Sequence, residues 1–446
     1  MKLALLWTDI MVWFLVISLL VWSRVISRSP QVKKQWHTIF KSSIAMASAI
    51  ILLFYLLFTL LDSVHLRFST TPTETKSEKV LYQGDIVSLL DLLFAHNIES
   101  TERTYSAPFS THEYATSIVV DENGVTKQEY LPLKHVGNGD DIVDKSIFAI
   151  FIGLIIGGSL IFVHIVWRKK RGFKSELPWR TAYLTLLSLV VTFTWFYMLS
   201  YHYHVLGTDK VGGDVLYQSL KSIRTGVLIG ILTTLIMLPV AIILGVSAGL
   251  FGGWVDDVIQ YLYTTLSSIP GVLLIAAGVL VMQVMMDNNP GWFETTLERS
   301  DLRLLFLIMI LGITSWTGLC RLLRAETLKI SQIEFVTAAK AFGVGKLTII
   351  RRHIIPNLMH IILISVVLDF SGLVLAEAVL SYVGVGVDPT MHSWGNMINQ
   401  ARLEMAREPM VWWSLFSAFV FMFILVLAAN LLSDRIQTVL DPRNKS

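Results

Sequence analysis

Charge is scarce in this chain. Asp, Glu, Lys and Arg make up 15% of its 446 residues, against 54% hydrophobic residues and a mean hydropathy of +0.61. A soluble chain normally carries about a quarter charged residues, so the composition belongs to a bilayer. The formal net charge is only +3, too small to indicate nucleic acid. Cysteine is nearly absent. Cys320 stands alone, which excludes an internal disulfide, and its apolar setting reads as a small buried side chain. No Gly-Lys-Ser/Thr phosphate loop, Ser-His-Asp set or zinc-helix pattern occurs, so the chain itself is expected to bind neither ATP nor metal and to have no catalytic residues. His202 and His204 are two residues apart, but two histidines before a loop read as solvated interfacial groups rather than ligands.

What is abundant is long apolar runs. Spans are expected near 3–22, 39–61, 147–167, 181–201, 225–250, 262–286, 303–320, 357–380 and 411–432, nine in all. The first has no small-residue cleavage site and reads as a retained span. Basic residues set the orientation. Arg24, Arg28, Lys33 and Lys34 lie in one loop, Arg168, Lys169, Lys170, Arg171, Lys174 and Arg180 in a second, and Arg321, Arg324, Lys329, Lys340, Lys346, Arg351 and Arg352 in a third. Alternation through nine spans puts all three on the cytoplasmic face, with the N-terminus outside and the C-terminus inside. Residues 62–146 then form a polar extracytoplasmic insertion, expected to be a small α+β domain. Within it, Asn123-Gly124 signals a hairpin turn, and 85–95 reads as a short amphipathic helix.

The loop at 331–357 is ordered in its own right. Ser331 and Glu334 have capping-box spacing, so a short helix should start there. Phe335, Val336, Ala339 and Phe342 share one face, and Gly343 can end the helix in the left-handed conformation. A second short helix is expected from Lys346 to Ile355, and Pro356 should break it and start the next span. Such a helix offers no catalytic group, but its shape fits a groove on a partner.

Ionisable groups inside spans carry a functional expectation, because burying a charge in hydrocarbon costs several kcal/mol. Glu377 and Asp369 are about 12 Å apart along their helix and could face a shared path. His164 and Asn430 read as helix–helix hydrogen bonds or interfacial groups. Gly245 and Gly249 permit close helix packing, either at an interface between chains or within this one. Pro239 and Pro270 should bend their helices or mark their ends.

Several segments resemble one family. Thr337-Ala338-Ala339, Gly343 and Pro356 look like the "EAA" loop of ABC-importer permeases, although Thr337 stands where that motif usually has Glu. Gly207-Thr208-Asp209, with Gly212-Gly213-Asp214 after it, resembles a segment of the dipeptide/oligopeptide/nickel branch, Gly213 replacing the usual Arg. Phe251-Gly252-Gly253-Trp254, Ser268-Ile269-Pro270, Ala376-Glu377-Ala378, Ser393-Trp394-Gly395 and Asp441-Pro442-Arg443 follow in that branch's order. The resemblance covers roughly 200–446 and is closest to the "C" permease subunit of peptide importers.

It implies an all-α polytopic membrane protein with a type I-like permease core of about six helices. The expected domains are N-terminal extra helices at 1–61, the insertion at 62–146, an extra helix and basic loop at 147–180, and the core at 181–446. It further implies alternating access in a bacterial or archaeal cytoplasmic (inner) membrane. Partners would be ABC ATPase subunits carrying ATP and Mg, a second homologous permease, an extracytoplasmic solute-binding protein and membrane lipid. Glu334, Thr337, Ala338, Ala339, Gly343 and Pro356 would couple to the ATPase; Glu377 and Asp369 would line the path. The transported solute would be a di- or oligopeptide. Nickel, an opine or another small solute is the alternative, and a non-transport sensor with 62–146 as its receptor is a second.

Overall fold

The computed structural model describes residues 2–26, 30–69, 82–120, 126–137, 139–171, 176–293 and 295–440. Eight helices among them are long and apolar enough to cross a membrane. The first of the nine expected spans is the exception. Lys2–Ala4 (β1) is a strand, and the apolar stretch Trp7–Val21 within helix α1 (Trp7–Ile26) is shorter than the other eight. Helices α2 (Pro30–Phe40) and α3 (Ser43–Asp62) follow.

The chain divides into two compact units. The first comprises 1–5, 20–226 and 391–428. In it β1 pairs antiparallel with β2 (His65–Ser69), which pairs with β3 (Tyr82–Ser88). The N-terminus therefore completes the sheet of the polar insertion, a long-range pairing that no local pattern announces. The helix expected at 85–95 is displaced: β3 occupies 82–88, and short helices α4 (Leu89–Leu93) and α5 (Ala95–Glu99) follow. Ser88 starts α4 with a reciprocal capping box to Asp91. Strands β4 (Ser117–Val120) and β5 (Thr126–Glu129) pair antiparallel, while the Asn123-Gly124 turn between them lies outside the described residues.

Helices α6 (Ile142–Lys170) and α7 (Trp179–Leu199) form a hairpin. A Cβ on Gly157 would meet Leu187 Cδ1 at 2.6 Å, and one on Gly153 would meet Val191 Cα at 3.0 Å, so the small residues let the helices touch. The His164 ring hydrogen-bonds the Tyr183 hydroxyl across the same hairpin at 3.0 Å.

The insertion is also seated on the Gly-Thr-Asp segment. Thr208 is fully buried; its hydroxyl donates to the Thr104 carbonyl and accepts from the Ser106 amide. Glu102 donates its amide to Gly212 and accepts the Lys134 and His135 amides on its carboxylate. His204 is 3% exposed and bonded to Asp214 at 3.0 Å, so it is a buried hydrogen-bonded group rather than the solvated residue expected.

The second unit comprises 6–19, 227–390 and 429–446. It contains most of α8 (Val215–Phe251), then α9 (Gly253–Ser268), α10 (Gly271–Asn288), α11 (Thr296–Ser331), α12 (Glu334–Ala341), α13 (Lys346–Ile349) and α14 (Ile355–Tyr382). Helix α15 (Trp394–Glu404) belongs to the first unit, and α16 (Trp413–Leu440) ends in the second. The single span expected at 262–286 is instead two helices. Proline offers no amide to continue α9, and the chain turns extended at Ile269 (ψ 130°) before α10 begins. Pro239, by contrast, sits inside α8, which continues past it. Gly245 and Gly249 pack α8 on α11 of the same chain. A Cβ at Gly245 would lie 2.7 Å from the Cys320 carbonyl oxygen, and one at Gly249 2.6 Å from Thr327 Cβ.

Candidate functional site

Helix α12 does not start as its sequence suggests. Helix α11 runs through Ser331, whose hydroxyl turns back to the Leu328 carbonyl. Ile333 is the N-cap of α12, with no side-chain cap bond. The Ser331–Glu334 capping box is therefore not formed, because the preceding helix already uses the serine. The other end behaves as expected. Gly343 adopts φ +76°, and the amides of Gly343 and Val344 bond the carbonyls of Lys340 and Ala339.

The faces of α12 need a correction too. Val336 is fully buried and Ala339 packs beside it, in one apolar cluster with Ile259, Tyr263, Trp316, Leu323, Ile349 and Ile354. Phe335 and Phe342, expected on that same face, are 43% and 87% exposed. Leu347 is 81% exposed and Ile333 44%. A residue every third or fourth position covers a wide arc, and an eight-residue helix touches its own core through only part of it. The remainder is an apolar surface on a firmly anchored helix. Glu334, Thr337, Ala338 and Gly343 are all exposed on this loop.

Pro356 starts the next span as expected, but the short helix before it ends earlier, at Ile349 rather than Ile355. Residues Ile350–Ile354 form a π turn between α13 and α14, and proline occupies the first turn of α14, where its missing amide costs nothing. Arg351, Arg352 and His353 lie on this turn, and the His353 ring is 5.8 Å from that of Phe335.

Glu377 and Asp369 both lie on α14 but in different surroundings. Glu377 is 1% exposed, and its carboxylate accepts the Ser381 hydroxyl one turn on at 2.8 Å. Asp369 is half-buried, and its Oδ2 is buried with no hydrogen-bond partner among the described residues. Two residues on, Ser371 donates to Asn430 at 2.7 Å, tying α14 to α16.

Two charged constellations escaped the sequence reading. Lys221 pairs with Asp91 and lies 3.8 Å from Asp62, and the Tyr217 hydroxyl also donates to Asp91. Burial pushes the Asp91 carboxyl up, but the Lys221 ammonium outweighs it and holds the group below the usual carboxylate range. The second is Asp256 with Arg324. The guanidinium meets both carboxylate oxygens, Nη2 donating to Oδ2 at 2.6 Å, and this hydrogen-bonded pairing holds Asp256 below its ordinary range. Lys221 falls just before the apolar run at 225–250, and Arg324 was counted only as a basic residue of the loop after 303–320; in both cases the carboxylate lay too far along the chain to be matched.

Residues 241–446 match the family described as the binding-protein-dependent transport system inner membrane component. The chain is 31% identical over 240 residues to the dipeptide transport system permease protein DppC of Bacillus subtilis (strain 168), spanning 54% of this chain and 69% of that protein. It is 31% identical over 243 residues to the glutathione transport system permease protein GsiD of Pectobacterium atrosepticum, spanning 54% and 74%. With the oligopeptide transport system permease protein OppC of Haemophilus influenzae it shares 29% over 297 residues, spanning 62% and 88%. Identity above 30% across more than two thirds of a relative, together with the family match over the C-terminal half, shows that the chain belongs to the inner-membrane components of binding-protein-dependent transport systems, the permeases of ABC importers.

Proposed function

We propose that the chain is one of two permease subunits of an importer that moves di- or oligopeptides across a cytoplasmic membrane. The relatives named for dipeptide, oligopeptide and glutathione transport support this solute class. Hydrolysis belongs to separate ATPase subunits that carry ATP and Mg, and a solute-binding protein delivers the cargo from outside. With α1 counted as a span, the 62–146 insertion faces outward and the basic loops face the cytoplasm. Glu377 and Asp369 are assigned to the path through the core.

The observation that carries the reading is the build of α12. Val336 roots it in the permease core, while Phe335, Phe342 and Leu347 remain exposed around it. An exposed apolar helix face on a rigid base fits a groove on a partner subunit. The partner would close on ATP, carry α12 with it and shift the permease between its outward and inward states, each ligand contributing by its differential affinity for the two.

The test is Phe342→Asp. The side chain is 87% exposed, so folding should be unaffected, whereas a charge would enter the docking face. The variant should purify in wild-type amount with its second permease but without the ATPase. Full ATPase retention would sink the docking role.

A further inference from the structure

Helix α9 stands beside the coupling loop and is fastened to it by more than packing. Its residues Val255, Ile259, Tyr263 and Leu266 fall on one helical face and enter the same apolar cluster as Val336 of α12 and Leu323 of α11. Around the edge of that cluster, three cations reach from the α11 arm and the loop to the corner and face of α9. Arg324 grips Asp256 through two parallel hydrogen bonds. The Arg321 guanidinium lies 5.1 Å from the centre of the Tyr263 ring, and the Lys346 ammonium 4.8 Å from that of Phe251. Both ends of α9 are breaks. Gly252 and Gly253 hold φ of +62° and +56° at the corner with α8, a turn that two consecutive residues with side chains would resist. At the far end Ile269 is extended, with Pro270 as the N-cap of α10.

A rigid segment between two hinges, clamped along its side to the part that docks, has the build of a strut. We infer that α9 travels with the coupling loop and transmits its displacement to α10, and that Asp256 is the positioning residue that locks α9 to the α11 arm. This inference rests on the coupling role proposed for α12. Asp256 touches neither solute nor nucleotide in it; it acts through Arg324. The bidentate geometry matters because one point of attachment lets α9 pivot, whereas two fix its angle. The packed cluster supplies cohesion, and the clamp supplies orientation.

The experiment uses the whole transporter reconstituted with its ATPase and binding protein, reading solute moved per ATP hydrolysed. Asp256→Arg and Arg324→Asp singly should keep the ATPase bound but lower that ratio on the order of tenfold. The swapped double variant, Asp256→Arg with Arg324→Asp, should recover most of it. Arg324→Lys retains the charge but not the fork, so it provides a milder variant wherever a reversal lowers the yield. It should lose part of the ratio at wild-type yield. A wild-type ratio in Arg324→Lys and in either reversal would overturn the strut while leaving coupling intact. A swapped pair that folds but performs no better than the single reversals would overturn it as well. Failure of the underlying coupling role looks different: Phe342→Asp would then retain its ATPase in full, whatever the Asp256 and Arg324 variants do.

Discussion

A graded series at Gly343 isolates one physical cause. This glycine ends α12 at φ +76°, and an added Cβ would meet nothing within 4 Å. Steric crowding therefore plays no part, and any cost is backbone strain. A residue with a Cβ loses roughly 1–2 kcal/mol in the left-handed region, about a tenfold change in the population of the capped helix. Valine should lose more, since its branched Cβ makes that region an outlier. Asparagine enters the region readily and should lose least. The helix spans only eight residues, so the amide bonds from Gly343 to Lys340 and from Val344 to Ala339 form a large share of its closure. The expected order of ATPase retention on purification is Gly, Asn, Ala, Val, with roughly a tenfold fall at Ala. Membrane insertion should be equal across the series. Wild-type retention by Gly343→Val would refute the claim that the left-handed cap shapes the docking helix.

Three further outcomes follow from other contacts. Gly249→Leu should lower the thermal stability of the detergent-solubilised protein by about 1–3 kcal/mol of overpacking, since even a Cβ there meets Thr327 at 2.6 Å and the Arg324 carbonyl at 2.9 Å; Gly318→Ala, where a Cβ meets nothing, should not, and equal melting of the two would refute the packing role. The Asp256 carboxyl is held below its ordinary value, so its contribution to stability is present above the unfolded value of about 4 and lost only as pH falls through the lower folded one. Solute moved per ATP should therefore not change through this pair between about pH 5 and pH 8, and a fall over that range that Asp256→Asn abolishes would contradict it. In a Cys320→Ser background, a cysteine at position 118 should react with an impermeant thiol reagent in intact cells, and one at position 170 only after permeabilisation. The side chains now at both positions are exposed, so a reversed pattern would defeat the topology.

What the sequence disclosed depended on how local the cause was. Gly343 was legible because one residue's backbone freedom determines the cap. The long helices were legible because a bilayer-length apolar run has few alternatives. The break at Ile269 was hidden by apolar side chains that continue across it, although Pro270 marked the spot. The capping box at Ser331 was misleading because α11 extends far enough to take the serine hydroxyl for itself. On α12, periodicity identified an apolar arc but not which part the chain's own core would cover. That depended on residues such as Ile259 and Ile354, distant in sequence. The same distance concealed Arg324 with Asp256, Lys221 with Asp91, and the strand Lys2–Ala4 against His65. Each requires the tertiary fold to bring its members together. Glu377 drew attention as a carboxylate in a span, and its environment then proved to be a buried one, bonded to Ser381.

The most direct test of the central claim is reconstitution. The chain, placed in proteoliposomes with the second permease, ATPase subunits and solute-binding protein that co-purify with it, should accumulate a labelled di- or oligopeptide. Uptake should require ATP and Mg and should stop when the binding protein is omitted. ATP hydrolysis should rise when the loaded binding protein is added. A complex that assembles fully but shows no ATP-dependent accumulation of any peptide in a mixed library would contradict a peptide-importing permease.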